Sequence, residues 1–281
     1  MRLTHNMYSL AIYKNYKTSL AQNSESIANI SSGKKLNSAK DNPNKIADAE
    51  RMKITVLSRK QACDNVQDTD SMLQTFDGAL QEMNNNVARL KGLVVKAGNG
   101  TNSQNDLQNI QTEIDSVLNS MNDLANNTEF NGVKMSQANG TTKNITIGSE
   151  SGDNVDIPFF DLTTGGIDSS STGLGIKNLD VTGPNFNIDQ ALNDVDSAVT
   201  KITGIRSKYG ALQSRLEGAL NNFDEINDVT TSAESSLEDA DMATESLKNS
   251  TSQILINSAI SLMVQSNQLP QDALNILARV K

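Results

Sequence analysis

The sequence predicts a mainly α fold: a long antiparallel helical rod, with paired terminal helices and a coiled-coil-like rod section, and a small β-hairpin region at its tip. Three observations carry this expectation. Apolar residues recur at steps of 3 and 4 over long stretches, the spacing of a helical seam. The four prolines stand at 43, 158, 184 and 270, leaving 44–157 and 185–269 free of the strongest helix breaker, and nine of the 17 glycines lie between Gly132 and Gly183. Apolar residues are 36% and aromatics 4%, against an apolar share of about 45–50% in ordinary globular domains. A wide spherical core would be short of bulky fillers, whereas thin seams between helices would not.

In chain order, Leu10, Tyr13, Leu20, Ile27 and Ile30 lie at helical spacing and predict a first helix. Pro43 suits the first turn of the next, with Asp41 or Asn42 as its cap. That helix should run from about 44 to 98, roughly 80 Å at 1.5 Å per residue. Its seam is Phe76, Leu80, Met83, Val87, Leu90, Val94 and Ala97, stepping by 4, 3, 4, 3, 4 and 3. Upstream, Ala49, Val56 and Cys63 step by 7, with Met52 and Val66 as partners, so Cys63 reads as a small buried hydrophobe. Gly98-Asn99-Gly100 ends the helix. Ser103 and Asp106 then read as N-cap and first-turn acid of a third helix, carrying Leu107, Ile110, Ile114, Val117, Leu118, Met121 and Leu124, which folds back on the second and fades at Asn126-Asn127.

From Phe130 the period becomes two. Val133 and Met135, then Ile145 and Ile147, flank a turn at Ala138-Asn139-Gly140 and read as a hairpin, to which 154–161 adds a strand through Val155 and Ile157. The stretch TTGGIDSSSTGLG reads as loop. Helical spacing resumes at Ile188 and continues to Leu237, and a last stripe comprises Leu247, Ile254, Leu255, Ala259, Leu262, Met263 and Leu269. The first and last stripes have no partner but each other, so start and end should pair. The expected organisation is therefore 1–43 with 240–281 as terminal helices, 44–130 with 187–239 as helical rod, and 131–186 as hairpin and Gly-rich tip.

Most enzyme chemistry is excluded. One Cys and one His are too few for a disulfide or a four-ligand zinc site, and any His-based triad or two-His metal motif would rest on His5 alone. No catalytic residue, cofactor or metal is expected. No apolar run reaches the span of about 18 residues that a membrane helix needs. The N-terminal apolar run is broken at Lys14 and Lys17, with no small-x-small cleavage site behind it, so no cleaved signal peptide is expected. The net charge is −9, but the first 60 residues hold 11 Lys and Arg against four acids, while 221–245 contain eight acids and no Lys or Arg. Such segregation can serve register between subunits, and solvated helix faces commonly show the same pattern. The net sign and the lack of a motif argue against nucleic acid.

Four separated stretches resemble one family. IANISSGKKLNSAKDN (27–42), GALQEMNNNVARLKGLVVKAGNGTNSQNDLQNIQTEI (78–114) with TEFNGVKM (128–135), SLEDADMATES (236–246) and VQSNQLPQDALNIL (264–277) are similar, in this order, to bacterial flagellin. The resemblance implies an extracellular subunit that self-assembles into the flagellar filament for swimming motility. It implies export, unfolded, through the flagellar type III apparatus, with a secretion chaperone on the C-terminal helix and with the filament cap and hook-associated proteins as further partners. It also implies terminal helices that order on assembly into an inner tube, so Leu10, Tyr13, Leu20, Ile27, Leu255, Leu262, Met263 and Leu269 become assembly stripes. With only about 40 residues between the hairpin and Ile188, little or no outer domain is expected.

Some flagellins are sensed by Toll-like receptor 5, and the matching positions are Arg89, Leu93 and Glu113, with departures at Lys91 and Gly92. Leu93 flanks the Val94 seam position, and Arg89 with Glu113 reads equally as a surface ion pair. Thr141, Thr142, Ser169, Ser170 and Ser171 are the candidate O-glycosylation positions that the family suggests. The alternative within the same apparatus is a hook-filament junction protein, which should lack the NNNVARLKGLVV motif and the compact FNGVKM turn. A peptidase insert would need an H-E-x-x-H motif, and none is present.

Overall fold

The computed structural model describes residues 6–137, 140–148, 152–165, 173–177, 179–184 and 186–279. It is mainly α. In order come α1 (Met7–Ser32), α2 (Pro43–Ala97), α3 (Gln104–Asn127), β1 (Glu129–Phe130), β2 (Val133–Lys134), β3 (Thr142–Thr146), β4 (Asn154–Pro158), α4 (Ile188–Glu238) and α5 (Met242–Arg279). They form two compact units, Met1–Val56 with Asp228–Lys281, and Leu57–Asn227.

Helix ends follow local chemistry. The Asn42 side chain accepts from Lys45 N at 3.2 Å, capping α2 with Pro43 in its first turn. Ser103 and Asp106 form a reciprocal capping box on α3. The hydrogen bonds from Ser103 hold the Asp106 carboxyl below the usual carboxylate range. Gly33 closes α1 at φ 72°, a left-handed conformation that favours glycine.

In the second unit, α2 buries Val66, Thr69, Leu73, Phe76, Leu80, Met83, Val87, Leu90, Val94 and Ala97. Extended backwards, the same spacing reaches Ala62, which is 2% exposed, and Cys63 is only half-buried. The expectation of a buried Cys63 is therefore corrected: an uninterrupted 4-3 alternation from Val66 reaches 62, one residue short of the 7-step through 63. Burial, then the carboxylates of Asp224 and Asp64, push the Cys63 thiol up, so the thiolate is disfavoured.

Against this seam lie Ile110, Ile114, Val117, Leu118, Met121 and Ala125 of α3 and Ala191, Val195, Ala198, Ile202, Ile205, Tyr209 and Leu216 of α4, in one apolar cluster. Tyr209 is fully buried against Phe76 and Phe160, and its hydroxyl donates to Pro158 O at 3.1 Å. Burial pushes its phenol far up. Arg206 and Asp77 join α4 to α2 through two hydrogen bonds of 2.8 and 3.3 Å.

The expected single hairpin around 138–140 is replaced by two hairpins. The first closes at Asn131-Gly132, whose φ values of 48° and 76° are the left-handed pair that a two-residue hairpin turn needs, and it pairs Phe130 with Val133. The second pairs β3 with β4, Ile145 opposite Val155. Burial decides the pairing. Val155 and Ile157 are fully buried in the core and face inward together, while Val133 is already used by Phe130 and Met135 is buried. Ala138 and Asn139 lie outside the described residues.

The Gly-rich middle is also less of a solvated loop than its composition suggests. Thr164, Leu174, Ile176, Leu179 and Val181 are buried. Gln111 on α3 donates to Leu179 O at 3.0 Å and accepts from Val181 N at 2.9 Å, and Asn122 accepts from Thr164 N at 2.9 Å. Two polar side chains of α3 thus take the place of a neighbouring strand.

Candidate functional site

The first unit pairs α1 with α5, antiparallel, and its seam is the reverse of what apolar periodicity predicts. On α1 the inward positions are Ser9, Ile12, Tyr16, Ser19, Asn23 and Ser26, stepping by 3 and 4, and then Asn29 and Ile30 together, and on α5 they are Glu245, Asn249, Ser252, Ile256, Ala259, Met263, Ser266 and Pro270. The α5 seam is heptad throughout and the α1 seam is heptad as far as Ser26, and both are filled mainly by small and polar side chains. Hydrogen bonds set the register. Asn23 Nδ2 donates to Asn249 Oδ1 at 2.7 Å across the pair, while Asn37 Nδ2, in the loop after α1, donates back to Asn29 Oδ1 at 2.8 Å. The chain segments beyond the pair join too, with Lys35 N donating to Glu238 O at 2.8 Å and Ala240 N to Gly33 O at 2.9 Å.

Pro270 lies inside α5. It has no N–H to donate to the carbonyl four residues back, that of Ser266. The Asn6 side chain supplies the missing donor, bonding Ser266 O at 2.9 Å. Asn6 also caps α1 by accepting from Ser9 N at 3.2 Å. One asparagine therefore satisfies the start of α1 and the proline gap of α5.

Glu245 is the buried charge of this seam, 6% exposed. Lys248 donates to it at 2.6 Å and holds its carboxyl below the usual range, against the opposing effect of burial, with Asn29 and Ser26 adding hydrogen bonds.

The apolar residues instead face outward. Leu10, Tyr13, Leu20, Ile27, Leu255, Leu262 and Leu269 are between 46% and 66% exposed, while Met263 sits half-buried in the seam. Tyr13, Leu20 and Ile27 each follow a seam residue, and Leu255, Leu262 and Leu269 each precede one. In an antiparallel pair those positions flank the seam on opposite sides. A groove of about 600 Å³ runs along the Leu255 side, lined by Gln22, Glu25, Asn29, Leu247, Lys248 and Leu255 among others. Sequence reasoning found the apolar stripes and missed the polar seam. The signal was present, as small and polar residues at a 3-4 spacing.

The other predicted residues lie in the second unit. Arg89 Nε and Nη2 donate to Glu113 Oε1 at 3.1 and 2.5 Å, an exposed pair worth under about 1 kcal/mol. Leu93, 7% exposed, packs into the core rather than facing solvent. Lys91 pairs with Asp196, and Gly92 has nothing within 4 Å of where a Cβ would stand. Thr141 and Thr142 are exposed at the start of β3. Ser169, Ser170, Ser171 and His5 lie outside the described residues. Among the described residues no group of His, Cys, Asp and Glu could hold a metal, and no helix is long and apolar enough to cross a membrane.

Residues 3–141 match the bacterial flagellin N-terminal helical region, and residues 192–277 match the bacterial flagellin C-terminal helical region. The flagellin of Bacillus subtilis is 31% identical, the alignment covering 99% of this chain and 100% of that protein. The chain belongs to the bacterial flagellin family. The flagellin of Halalkalibacterium halodurans is 29% identical, covering 99% of this chain and all of its own. A solved structure described as a flagellar hook-associated protein of Vibrio parahaemolyticus shares the fold at a TM-score of 0.61 and 15% identity, over 71% of this chain and all of that one. Flagellins are structural proteins, so the chain is a subunit of the extracellular flagellar filament and not an enzyme.

Proposed function

We propose that this flagellin polymerises through the two apolar flanks of its α1–α5 pair, residues 1–43 and 240–281 forming the inner tube of the filament. The carrying observation is the inverted burial: hydrogen-bonded polar groups inside, and Leu and Tyr outside on opposite sides of the same pair. Two different apolar flanks on one subunit make a heterologous contact, which builds a helical polymer wherever its rotation does not close into a ring. A seam of Ser and Asn holds the pair weakly, which suits helices that unfold for export through the type III apparatus and order on arrival. Until then, a chaperone covers Leu255, Leu262 and Leu269 on α5. Residues 44–130 and 187–239 form the rod around the tube, and 131–186 its outer tip, with the cap and hook-associated proteins meeting the growing and basal ends. The hook-filament junction alternative shares the fold, but the near full-length resemblance to flagellins favours the filament subunit.

The test is seeded growth. Purified chain added to short filament fragments should elongate them by electron microscopy, and chains lacking about 35 residues at either end should not, since an antiparallel pair needs both helices. Elongation by the truncated chains would overturn the reading.

The α2–α3 face carrying Arg89 and Glu113 is the proposed contact for Toll-like receptor 5, with Leu93 supporting it from within. Arg89→Ala should lower receptor signalling in a reporter cell. Signalling equal to the parent would remove the assignment.

A further inference from the structure

The sulfur side chains of this protein are nine methionines and one cysteine, and burial sorts them. Met72, Met83, Met121 and Met135 lie in the apolar cluster of the second unit, between 0% and 4% exposed. Met52 and Met263 are half-buried. Met7 and Met242 stand out at 66% and 48%. Met1 lies outside the described residues. Cys63 is half-buried, and burial followed by the charges of Asp224 and Asp64 pushes its thiol up, so little of the thiolate that reacts with peroxide is present. A thioether needs no ionisation. Access to solvent therefore decides which methionine is oxidised first.

The two exposed methionines stand in unlike surroundings. Met7 shares with Leu10, Ala11 and Tyr13 a shallow apolar concavity of about 390 Å³ on α1, its lining completed by Lys14 and Lys17. Met242 opens α5 beside a polar cap, where the Asp241 carboxyl accepts from Ala243 N at 3.0 Å and from the Thr244 hydroxyl at 2.8 Å. A sulfoxide at Met7 places a polar S–O group in an apolar surface next to the Tyr13 flank. At Met242 it joins groups that are polar already.

We propose that Met7 is an oxidation switch on assembly: hydrogen peroxide converts Met7 of the free chain to the sulfoxide, and the sulfoxide keeps that chain out of a filament. In the reaction a sulfur lone pair attacks one peroxide oxygen. The O–O bond breaks as the S–O bond forms, and the other oxygen leaves with both protons as water, so sulfur loses the two electrons that peroxide gains. Methionine sulfoxide reductases reverse the change with a thiol as reductant. The switch rests on the filament reading above, in which the concavity is covered together with the Tyr13 flank, so a copy already in a filament is protected.

Graded peroxide treatment of the free chain, mapped by mass spectrometry and followed by seeded growth, tests it. Met7 and Met242 should be oxidised about tenfold faster than the four core methionines, and the critical concentration should rise roughly tenfold as Met7 is converted. Met7→Leu keeps an apolar side chain that forms no sulfoxide, so it should polymerise like the parent and keep growing after treatment. Met242→Leu should stay as sensitive as the parent. The two reductases, one for each sulfoxide epimer, should restore growth of the treated parent. Far-UV circular dichroism equal before and after treatment shows that an oxidised chain is folded. Met7 oxidised no faster than the core methionines, or Met7→Leu as sensitive as the parent, would overturn the switch and leave the filament reading standing. A parent that forms no filament before any treatment would overturn the filament reading and the switch with it.

Discussion

Replacing Tyr13, Leu20 and Ile27 together by Gln removes one whole apolar flank of the terminal pair without touching its seam. These side chains are 47%, 46% and 50% exposed, so about half of each remains to be buried by a neighbour. Full burial of such a side chain is worth about 1.5–3 kcal/mol, so the second half contributes about 1 kcal/mol and the three together about 3. At about 1.4 kcal/mol per decade, the critical concentration for seeded growth should rise roughly 100-fold. Gln is a good helix former, so helix propensity changes little. The assay is sedimentation of seeded polymer over a range of concentrations, with circular dichroism as the control on folding. A critical concentration within about threefold of the parent, less than 1 kcal/mol in all, would refute the flank as an assembly surface.

Asn6→Ala should leave Ser266 O without its donor and weaken the docking of the start of α1 by about 1–3 kcal/mol, and adding Pro270→Ala, which restores an N–H to that carbonyl, should recover part of it. Hydrogen exchange at α1 amides in assembled filaments reads both changes. Glu245 has its carboxyl held below the ordinary 4.5, so its stabilisation is complete above that value and is lost as pH falls through the depressed folded value. Glu245→Gln should therefore flatten the acid limb of filament stability, measured as turbidity against pH. Tyr209→Phe removes the donor to the buried Pro158 carbonyl and should cost about 1 kcal/mol in thermal unfolding of the 57–227 unit, whereas Phe76→Ala should cost about 3–5 by leaving a cavity. Gly92→Ala, at an exposed position inside α2 with open space around it, should stabilise by about 1 kcal/mol in the same measurement.

Much of the helical part was legible because its causes are local. The seam from Phe76 to Ala97 needs only a 3-4 alternation, the start of α3 only Ser103 and Asp106, and the start of α2 only Asp41 or Asn42 before Pro43, of which the structure uses Asn42. The hairpins were half legible. Alternation placed strand character at 133–135, 145–147 and 154–161, but which strand pairs with which depended on where Val155 and Ile157 could be buried. A turn signal at 139–140 and another at 131–132 look alike until that core is known. Cys63 and Ala62 differ by one residue in the same repeat, and only the packed seam separates them. The candidate surface was found for its stripes and misread for its seam. Apolar periodicity says which face is hydrophobic, and the usual inference that this face turns inward fails here, where Leu and Tyr stand exposed on both flanks of a hydrogen-bonded seam.

The sequence by itself determined the helices and their caps, which rest on spacing along the chain, and the family, which rests on four stretches that resemble flagellin. Tertiary structure decided that the ends pair through Ser and Asn with Leu and Tyr outside, that Asn6 completes the carbonyl left open by Pro270, and that Gln111 and Asn122 hold the Gly-rich segment. Those outcomes join residues from 42 to 260 positions apart, each placed by hydrogen bonds that must be satisfied once water is excluded. No period within a single segment records them.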